Sequence, residues 1–402
     1  MVPNLFFSVP QLGHSGFGGP GCQKGPENLG EFRPMGRNQT WEGKMFRKAL
    51  FGILATAVLL AAPVSFQAVQ AQTYTLRYSD IGPPRGPRAK ALMWWAEELE
   101  KRSNGQIKIK FFWGQSLVKA KATMKAVGSG LAETGTILGI YTPAQLPIWN
   151  YANTPFAMSD VWVGMRTWYD LRQNVPELRI EAEKNKIKIL FNNTTPAVQL
   201  LSVNGPITSI ADLKGKKIRA TGGYTHLFKA LGAVPVKIGF GELYAALDRG
   251  TVDATINYTP FVKSYKHYEV AGHLTEANMG LIAGYGGGIN LKLFNGMPKD
   301  IQEILVRTSD EYMDVLAENY IADSKASKAA LIAGIDGRKV KFYRLSDAER
   351  ARWAAKAEGV TTAWIAKMEK KGFDARGFIA TFKATRDKYR KELRDKGYPW
   401  TR

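Results

Sequence analysis

Apolar and polar positions alternate over Thr73-Tyr74-Thr75-Leu76-Arg77-Tyr78, the period of a half-buried strand. A Gly/Pro-rich loop follows, Ile81 to Arg88. Leu92, Trp95, Ala96 and Leu99 then recur at helical spacing, and Ser103-Asn104-Gly105 offers a left-handed stop. Ile107, Ile109 and Phe111 predict a second strand, and a helix is expected over about Lys119–Ser129. The chain from residue 72 therefore opens βαβα, the order of an α/β sheet. The theme returns after Lys186. Strands are predicted at 187–191, 200–203, 218–220, 234–238 and 251–257, with helical segments at 209–213, 224–231 and 242–249. From Pro298 the pattern turns helical. Ile301, Ile304, Leu305, Met313, Leu316 and Ile321 mark one long helix to about Ile332, and two more are expected over about 347–370 and 373–396. Two α/β lobes with a helical C-terminal region is the fold this suggests.

A different pattern precedes the first strand. Met45-Phe46-Arg47-Lys48 leads into an uncharged apolar run, Ala49 to Ala62, and small residues stand at Val69 and Ala71. Positive start, short apolar run and small residues before a cut are the layout of a secretory signal peptide, residues 45–71. The run is short for a membrane span. Residues 1–44, without a sustained period, read as a disordered extension or a misassigned start. The segment from Gln72 is expected to be exported to the periplasm with no stable membrane insertion.

Composition sharpens this. The single cysteine, Cys22, lies ahead of the expected cut, so disulfide, thiolate and zinc–cysteine chemistry are not expected beyond it. Residues 1–71 hold six Lys/Arg and three Asp/Glu, so the formal charge of +21 is still +18 without them. Such a charge attracts anions. Export argues against nucleic acid and leaves an anionic small ligand, or a solvated basic face over Lys367–Arg402. Enzyme motifs are hard to find. Gly16-Phe17-Gly18-Gly19-Pro20-Gly21 fits a dinucleotide pattern by letters but has no strand before it. Gly284-Tyr285-Gly286-Gly287-Gly288 has no phosphate-binding lysine and reads as a turn or hinge-like strand. His226, His267 and His273 make no metal-ligand cluster and are taken as ordinary polar positions. No catalysis, cofactor or metal is expected.

The informative segment is Ser209-Ile210-Ala211-Asp212-Leu213-Lys214-Gly215-Lys216-Lys217-Ile218-Arg219-Ala220-Thr221-Gly222-Gly223. Ordered after it come Leu231-Gly232-Ala233-Val234-Pro235-Val236, Phe240-Gly241-Glu242-Leu243-Tyr244-Ala245-Ala246-Leu247, Gly250-Thr251-Val252-Asp253 and His267-Tyr268-Glu269-Val270; Glu97–Gly105 and Gln115-Ser116-Leu117 precede it. This series resembles the periplasmic substrate-binding proteins of TRAP transporters, the C4-dicarboxylate-receptor (DctP) type. The resemblance implies a two-lobed periplasmic-binding-protein fold, type II-like, with a long interlobe helix. It implies lobes at 72–196 plus 283–330 and at 197–282 plus 331–402, the latter including the C-terminal helices. It also implies a ligand held between lobes that close by a hinge, and delivery to a TRAP membrane permease.

By the same resemblance Arg219, at the end of a predicted strand, pairs with the substrate carboxylate. A guanidinium presents a planar fork that matches a carboxylate bidentately. Asn257 falls where the family has a carboxylate-contacting asparagine, and Phe240 where it packs an aromatic against the ligand. One departure stands out: a second arginine, common about twenty residues earlier in acid-binding members, is here Gln199. Lys119, Arg85 and Arg88 are candidate compensating cations. Trp113, Tyr141, Trp149, Tyr224 and Tyr258 are expected to supply aromatic surface near the cleft. Loss of the second arginine tilts the expectation from dicarboxylates toward a monocarboxylate or 2-oxo acid. An exported hydrolase, or an orphan receptor feeding a signalling system, are the alternative readings.

Overall fold

A computed structural model describes residues 72–402; the extension expected over 1–44 and the signal peptide expected over 45–71 lie outside the described residues. In chain order the strands are β1 (Tyr74–Ser79), β2 (Ile107–Phe112), β3 (Thr134–Leu138), β4 (Ile187–Asn193), β5 (Gln199–Ser202), β6 (Lys217–Arg219), β7 (Val234–Val236), β8 (Ala254–Asn257), β9 (His273–Glu276), β10 (Tyr285–Asn290) and β11 (Lys341–Arg344). The helices are α1 (Pro87–Arg102), α2 (Thr123–Ser129), α3 (Val161–Asn174), α4 (Pro176–Lys184), α5 (Ile210–Leu213), α6 (Gly223–Ala230), α7 (Leu243–Asp248), α8 (Thr259–Ser264), α9 (Leu291–Gly296), α10 (Lys299–Ala333), α11 (Asp347–Glu369) and α12 (Ala375–Lys396).

The strands form two mixed sheets, ordered β2-β1-β3-β10-β4 and β11-β9-β5-β8-β6-β7. Each belongs to one lobe. β1 runs parallel to β2 and β3, whereas β10 is antiparallel to β3 and β4. The chain enters the second lobe after β4 and returns through β10. These two crossings are hydrogen-bonded to each other, Thr195 N–H to the Ile282 carbonyl (2.9 Å) and Val198 N–H to that of Gly280 (2.8 Å).

Local sequence explains the ends of several elements. α1 starts with Pro87 in its first turn, where its missing N–H is no loss, and stops at Asn104 and Gly105, both left-handed. Its Leu92, Trp95 and Leu99 are fully buried. Trp95 donates Nε1–H to Ser309 Oγ of α10 (3.1 Å) and meets Phe191 edge-on. Ser209 and Asp212 form a capping box that starts α5. Asp160, Ser346 and Asp374 each accept a backbone N–H at the start of α3, α11 and α12.

The long helix expected to about Ile332 is α10. It packs on α1 near its N-terminus, and its Leu331 joins Leu201, Leu274 and Val340 in the core of the second lobe. It is therefore common to both lobes. Among the C-terminal helices, α11 packs on α6, with Phe228 edge-on to Trp353. α12, grouped with the second lobe in the sequence reading, packs instead on α3 of the first, where Trp168 meets Phe378 and Phe382. β3, α3 and α4 were not picked out by the sequence pattern. The glycine run, read as a turn or hinge-like strand, is strand β10, whose pairing with β4 shifts register between Gly287 and Gly288. A Cβ on Gly287 would lie 2.1 Å from Phe191 Cζ, and one on Gly288 2.6 Å from Ile137 Cγ1, so the bare backbone makes room for these side chains.

Candidate functional site

Arg219 is the last residue of β6 and is only 2% exposed. Its Nε donates to the Ile238 carbonyl (2.9 Å), and its guanidinium carbon stands 5.3 Å from the centre of the Phe240 ring. Among the described residues no carboxylate lies within salt-bridge distance of it, and no side-chain partner satisfies its two outer nitrogens. The end of a strand in an open α/β sheet is where such folds expose ligand sites. Here it presents a desolvated cation with unused donors.

The surroundings are aromatic and neutral. Phe240 begins a short 3₁₀ turn, Phe240–Glu242, and its ring is edge-on to Tyr265 (4.9 Å), Phe261 (5.9 Å) and His267 (5.5 Å), with Tyr258 tilted at 6.2 Å. Tyr258 is buried; burial pushes its hydroxyl pKa up, against the pull of Arg219. Asn257 ends β8, two residues from Thr255, the strand partner of Arg219. Its Oδ1 accepts the N–H of Tyr258 (2.8 Å), and its Nδ2 lies 3.0 Å from His267 Nδ1. Burial, and then Arg219, hold His267 down to a pKa of about 3, so the imidazole is neutral.

The first lobe closes over this group. Tyr141 accepts the backbone N–H of Phe240 on its hydroxyl (3.1 Å) across the lobes. Arg85 donates to the Ser264 carbonyl (2.7 Å), and Arg88 reaches the Tyr265 hydroxyl. Gly222, at φ +56, lies against Ile140, where a Cβ would come within 2.9 Å of Cγ1. Two cavities line the seam. One of about 270 Å³ is bounded by Ile81, Gln115, Lys119, Tyr141, Phe240 and Glu242. The other, about 700 Å³, runs past Tyr141, Asn153, Gly222, Lys237, Gly239 and Trp364. A larger one of about 830 Å³ lies away from the cleft, between α4 and the turn joining α11 to α12.

Several expected residues sit elsewhere. Gln199 pairs with Asn257 across β5 and β8, but its amide is committed to Asn278, accepting that residue's N–H (2.9 Å) and donating to its Oδ1 (2.8 Å). Arg88 is not a free second cation: it is buried in an ion pair with Asp80, whose carboxylate also takes Gly82 N–H and Thr136 Oγ–H, both at 2.8 Å. Arg85 and Lys119 are exposed. Trp113 is half-buried, stacked on Phe111 at 4.6 Å with Arg88 over its ring at 5.9 Å. Tyr224 is core, its hydroxyl donating to the Met279 carbonyl (3.0 Å). Trp149 belongs to the first lobe, under Arg172 (4.6 Å) and bonded to Asn192 (3.2 Å), away from Arg219. The sequence reading missed His267 and Tyr265. His267 lies inside one of the recognised motifs, but nothing in its neighbours along the chain tells a core histidine from one beside a buried arginine.

Residues 78–368 match the family model of the bacterial extracellular solute-binding proteins, family 7 (DctP). The chain belongs to this family. Its relatives include the C4-dicarboxylate-binding periplasmic protein DctP of Rhodobacter capsulatus, 27% identical over 77% of this chain and 91% of the relative. The 2,3-diketo-L-gulonate-binding periplasmic protein YiaO of Escherichia coli K12 is 25% identical over 63% of this chain and 77% of its own length. A TRAP solute-binding protein from Rhodoferax ferrireducens, solved with copurified benzoate, has the same fold with a TM-score of 0.71, at 22% identity over 80% of this chain and all of its own. Family 7 members are solute-binding proteins rather than enzymes. No helix among the described residues of this one is long and apolar enough to cross a membrane.

Proposed function

We propose that this solute-binding protein is a periplasmic receptor that captures an organic acid by its carboxylate and delivers it to a TRAP-type membrane permease. The observation that carries the reading is Arg219: a buried arginine with no carboxylate partner among the described residues, its outer donors unused, at a strand end between two lobes. A buried cation without a counter-charge is costly, and a ligand carboxylate matches its planar fork. Phe240 and Tyr258 then pack the body of the acid, and Asn257 orders the polar side of the site. The two crossing segments and α10, shared by the lobes, serve as the hinge, and Tyr141, Gly222 and Arg85 form the seam that closes over the ligand. Relatives named for C4-dicarboxylate and diketo-gulonate binding support an acid as cargo. Export through residues 45–71 places the receptor outside the cytoplasmic membrane.

A thermal-shift screen of organic acids on the purified protein tests this, since a ligand that binds only the folded state raises its apparent stability. At least one carboxylate should shift the transition of the parent and none should shift that of Arg219→Ala. Equal shifts in both would remove Arg219 from the site, and a broad screen of acids without any shift would count against the cargo class.

A further inference from the structure

We infer that His267 supplies a second, uncharged N–H donor to the ligand carboxylate beside Arg219, which sets the site for a monocarboxylate with a flat, apolar body. This rests on the receptor reading above and narrows it.

The hydrogen-bond directions fix the imidazole. Asn257 must turn its Oδ1 to the N–H of Tyr258, at 2.8 Å. That leaves its Nδ2 against His267 Nδ1, at 3.0 Å. An amide nitrogen can only donate, so Nδ1 is the acceptor and the ring proton sits on Nε2. Among the described residues nothing accepts that proton, although the histidine is 1% exposed. The ring is held from both sides, parallel to Tyr265 at 5.7 Å and edge-on to Phe240 at 5.5 Å. Arg219 lies over the same Phe240 ring, 5.3 Å away. Two buried side chains with unused donors therefore flank one phenyl ring. Among the described residues neither side chain has a protein acceptor for these donors, and a carboxylate between them takes a hydrogen bond from both.

Charge and wall composition give the substrate class. Gln199 is spent on Asn278 and Arg88 on Asp80, leaving one formal positive charge at the buried end of the cleft. One carboxylate neutralises it. A second carboxylate on a short ligand would face Phe240, Tyr258, Phe261 and Tyr265, where an unpaired charge is strongly disfavoured. Lys119 and Lys121 stand exposed at the mouth, where solvent and salt weaken their pull, and Glu242 lines the same cavity.

Titration calorimetry of the parent, Arg219→Ala and His267→Phe with benzoate, pyruvate and succinate tests this. Benzoate should bind the parent at least tenfold more tightly than succinate. His267→Phe, which keeps a ring but removes the N–H, should lose about tenfold for benzoate, in line with a hydrogen bond to a charged group. Arg219→Ala should lose a hundredfold or more. Asn257→Asp provides a pH readout that a merely structural role would not give. The aspartate must accept from Nδ1–H, which turns the Nε2 lone pair on the ligand, so benzoate binding should fall at pH 8 and recover as the ring is protonated. Nitrogen-15 spectra of the unliganded parent should show the Nε2–H tautomer at pH 7, whether or not a variant folds. An Nδ1–H tautomer overturns the inference. So does benzoate binding that His267→Phe leaves unchanged while Arg219→Ala abolishes it, an outcome that leaves the receptor reading standing. Succinate preferred over benzoate, or no binding of benzoate at all, overturns the substrate class alone; the broad acid screen decides the receptor itself.

Discussion

Replacing Arg219 by methionine separates a ligand residue from a structural one by the sign of the stability change. Methionine keeps the length and the contact with Phe240 and removes the charge. The guanidinium is 2% exposed, makes one hydrogen bond, to the Ile238 carbonyl, and has no carboxylate partner among the described residues. Losing a hydrogen bond from a charged donor costs about 1.5–3 kcal/mol. Leaving a guanidinium out of water carries an effective penalty of several kcal/mol, and replacing buried ionic groups by apolar ones is often neutral or stabilising by about 1–4 kcal/mol. The unliganded Arg219→Met protein should therefore be as stable as the parent or up to ~3 kcal/mol more stable. At roughly 2 °C per kcal/mol for a chain of this size, its melting temperature should rise by between about 0 and 6 °C. Were Arg219 half of a structural pair, the change would instead cost about 3–5 kcal/mol. Acid binding should fall on the order of a hundredfold or more, since the same pairing energy is lost from the complex. Differential scanning calorimetry with and without a bound acid reads both numbers. A melting temperature lowered by several degrees together with undiminished binding would refute the reasoning.

Three further outcomes are expected. Asp80→Asn leaves Arg88 buried without its counter-charge and should destabilise the protein by about 3–5 kcal/mol, a drop visible in chemical denaturation. Gly222→Val places a β-branched residue at φ +56 and against Ile140 of the opposite lobe. It should cost about 1–3 kcal/mol and keep the ligand-saturated radius of gyration, measured by X-ray scattering, close to the open value. His267 has a folded pKa of about 3, depressed below its usual 6.5. Its stabilising effect is thus present above the unfolded value and lost as pH falls through the window from about 6.5 to 3, because the unfolded state binds the proton first. Between pH 7 and 5 this amounts to about 2 kcal/mol. Tyr265, stacked on the ring, has its hydroxyl pushed up to about 12 by burial and stays neutral in that range. His267→Phe should flatten this part of the urea-denaturation pH profile, and an unchanged slope would contradict the buried neutral imidazole.

The sequence by itself was enough to place the main elements whose partners are close along the chain. Apolar positions from Ile301 to Ile321 repeat on one helical face, and α10 runs where that pattern runs. The short helical segment expected at 209–213 and the strand ending near Arg219 are local too, and α5 and β6 stand there. β10 was harder to read. Its three glycines carry no alternation, and they make a strand only because Phe191 and Ile137 of neighbouring strands fill the space above them.

What the tertiary structure alone decided is which polar groups are already paired. Gln199 and Arg88 read as possible ligand donors until Asn278, 79 residues from the first, and Asp80, eight residues from the second, are seen to occupy them. His267 reads as an ordinary histidine, and Arg219 as a ligand residue by family resemblance alone, until Phe240, Asn257 and the closing lobe are seen to remove both from water. A hydrogen bond is settled by what stands within about 3 Å in space, and burial by what covers a group from every side. Neither is written in the spacing along a chain, whose periodicity reports only which face turns inward.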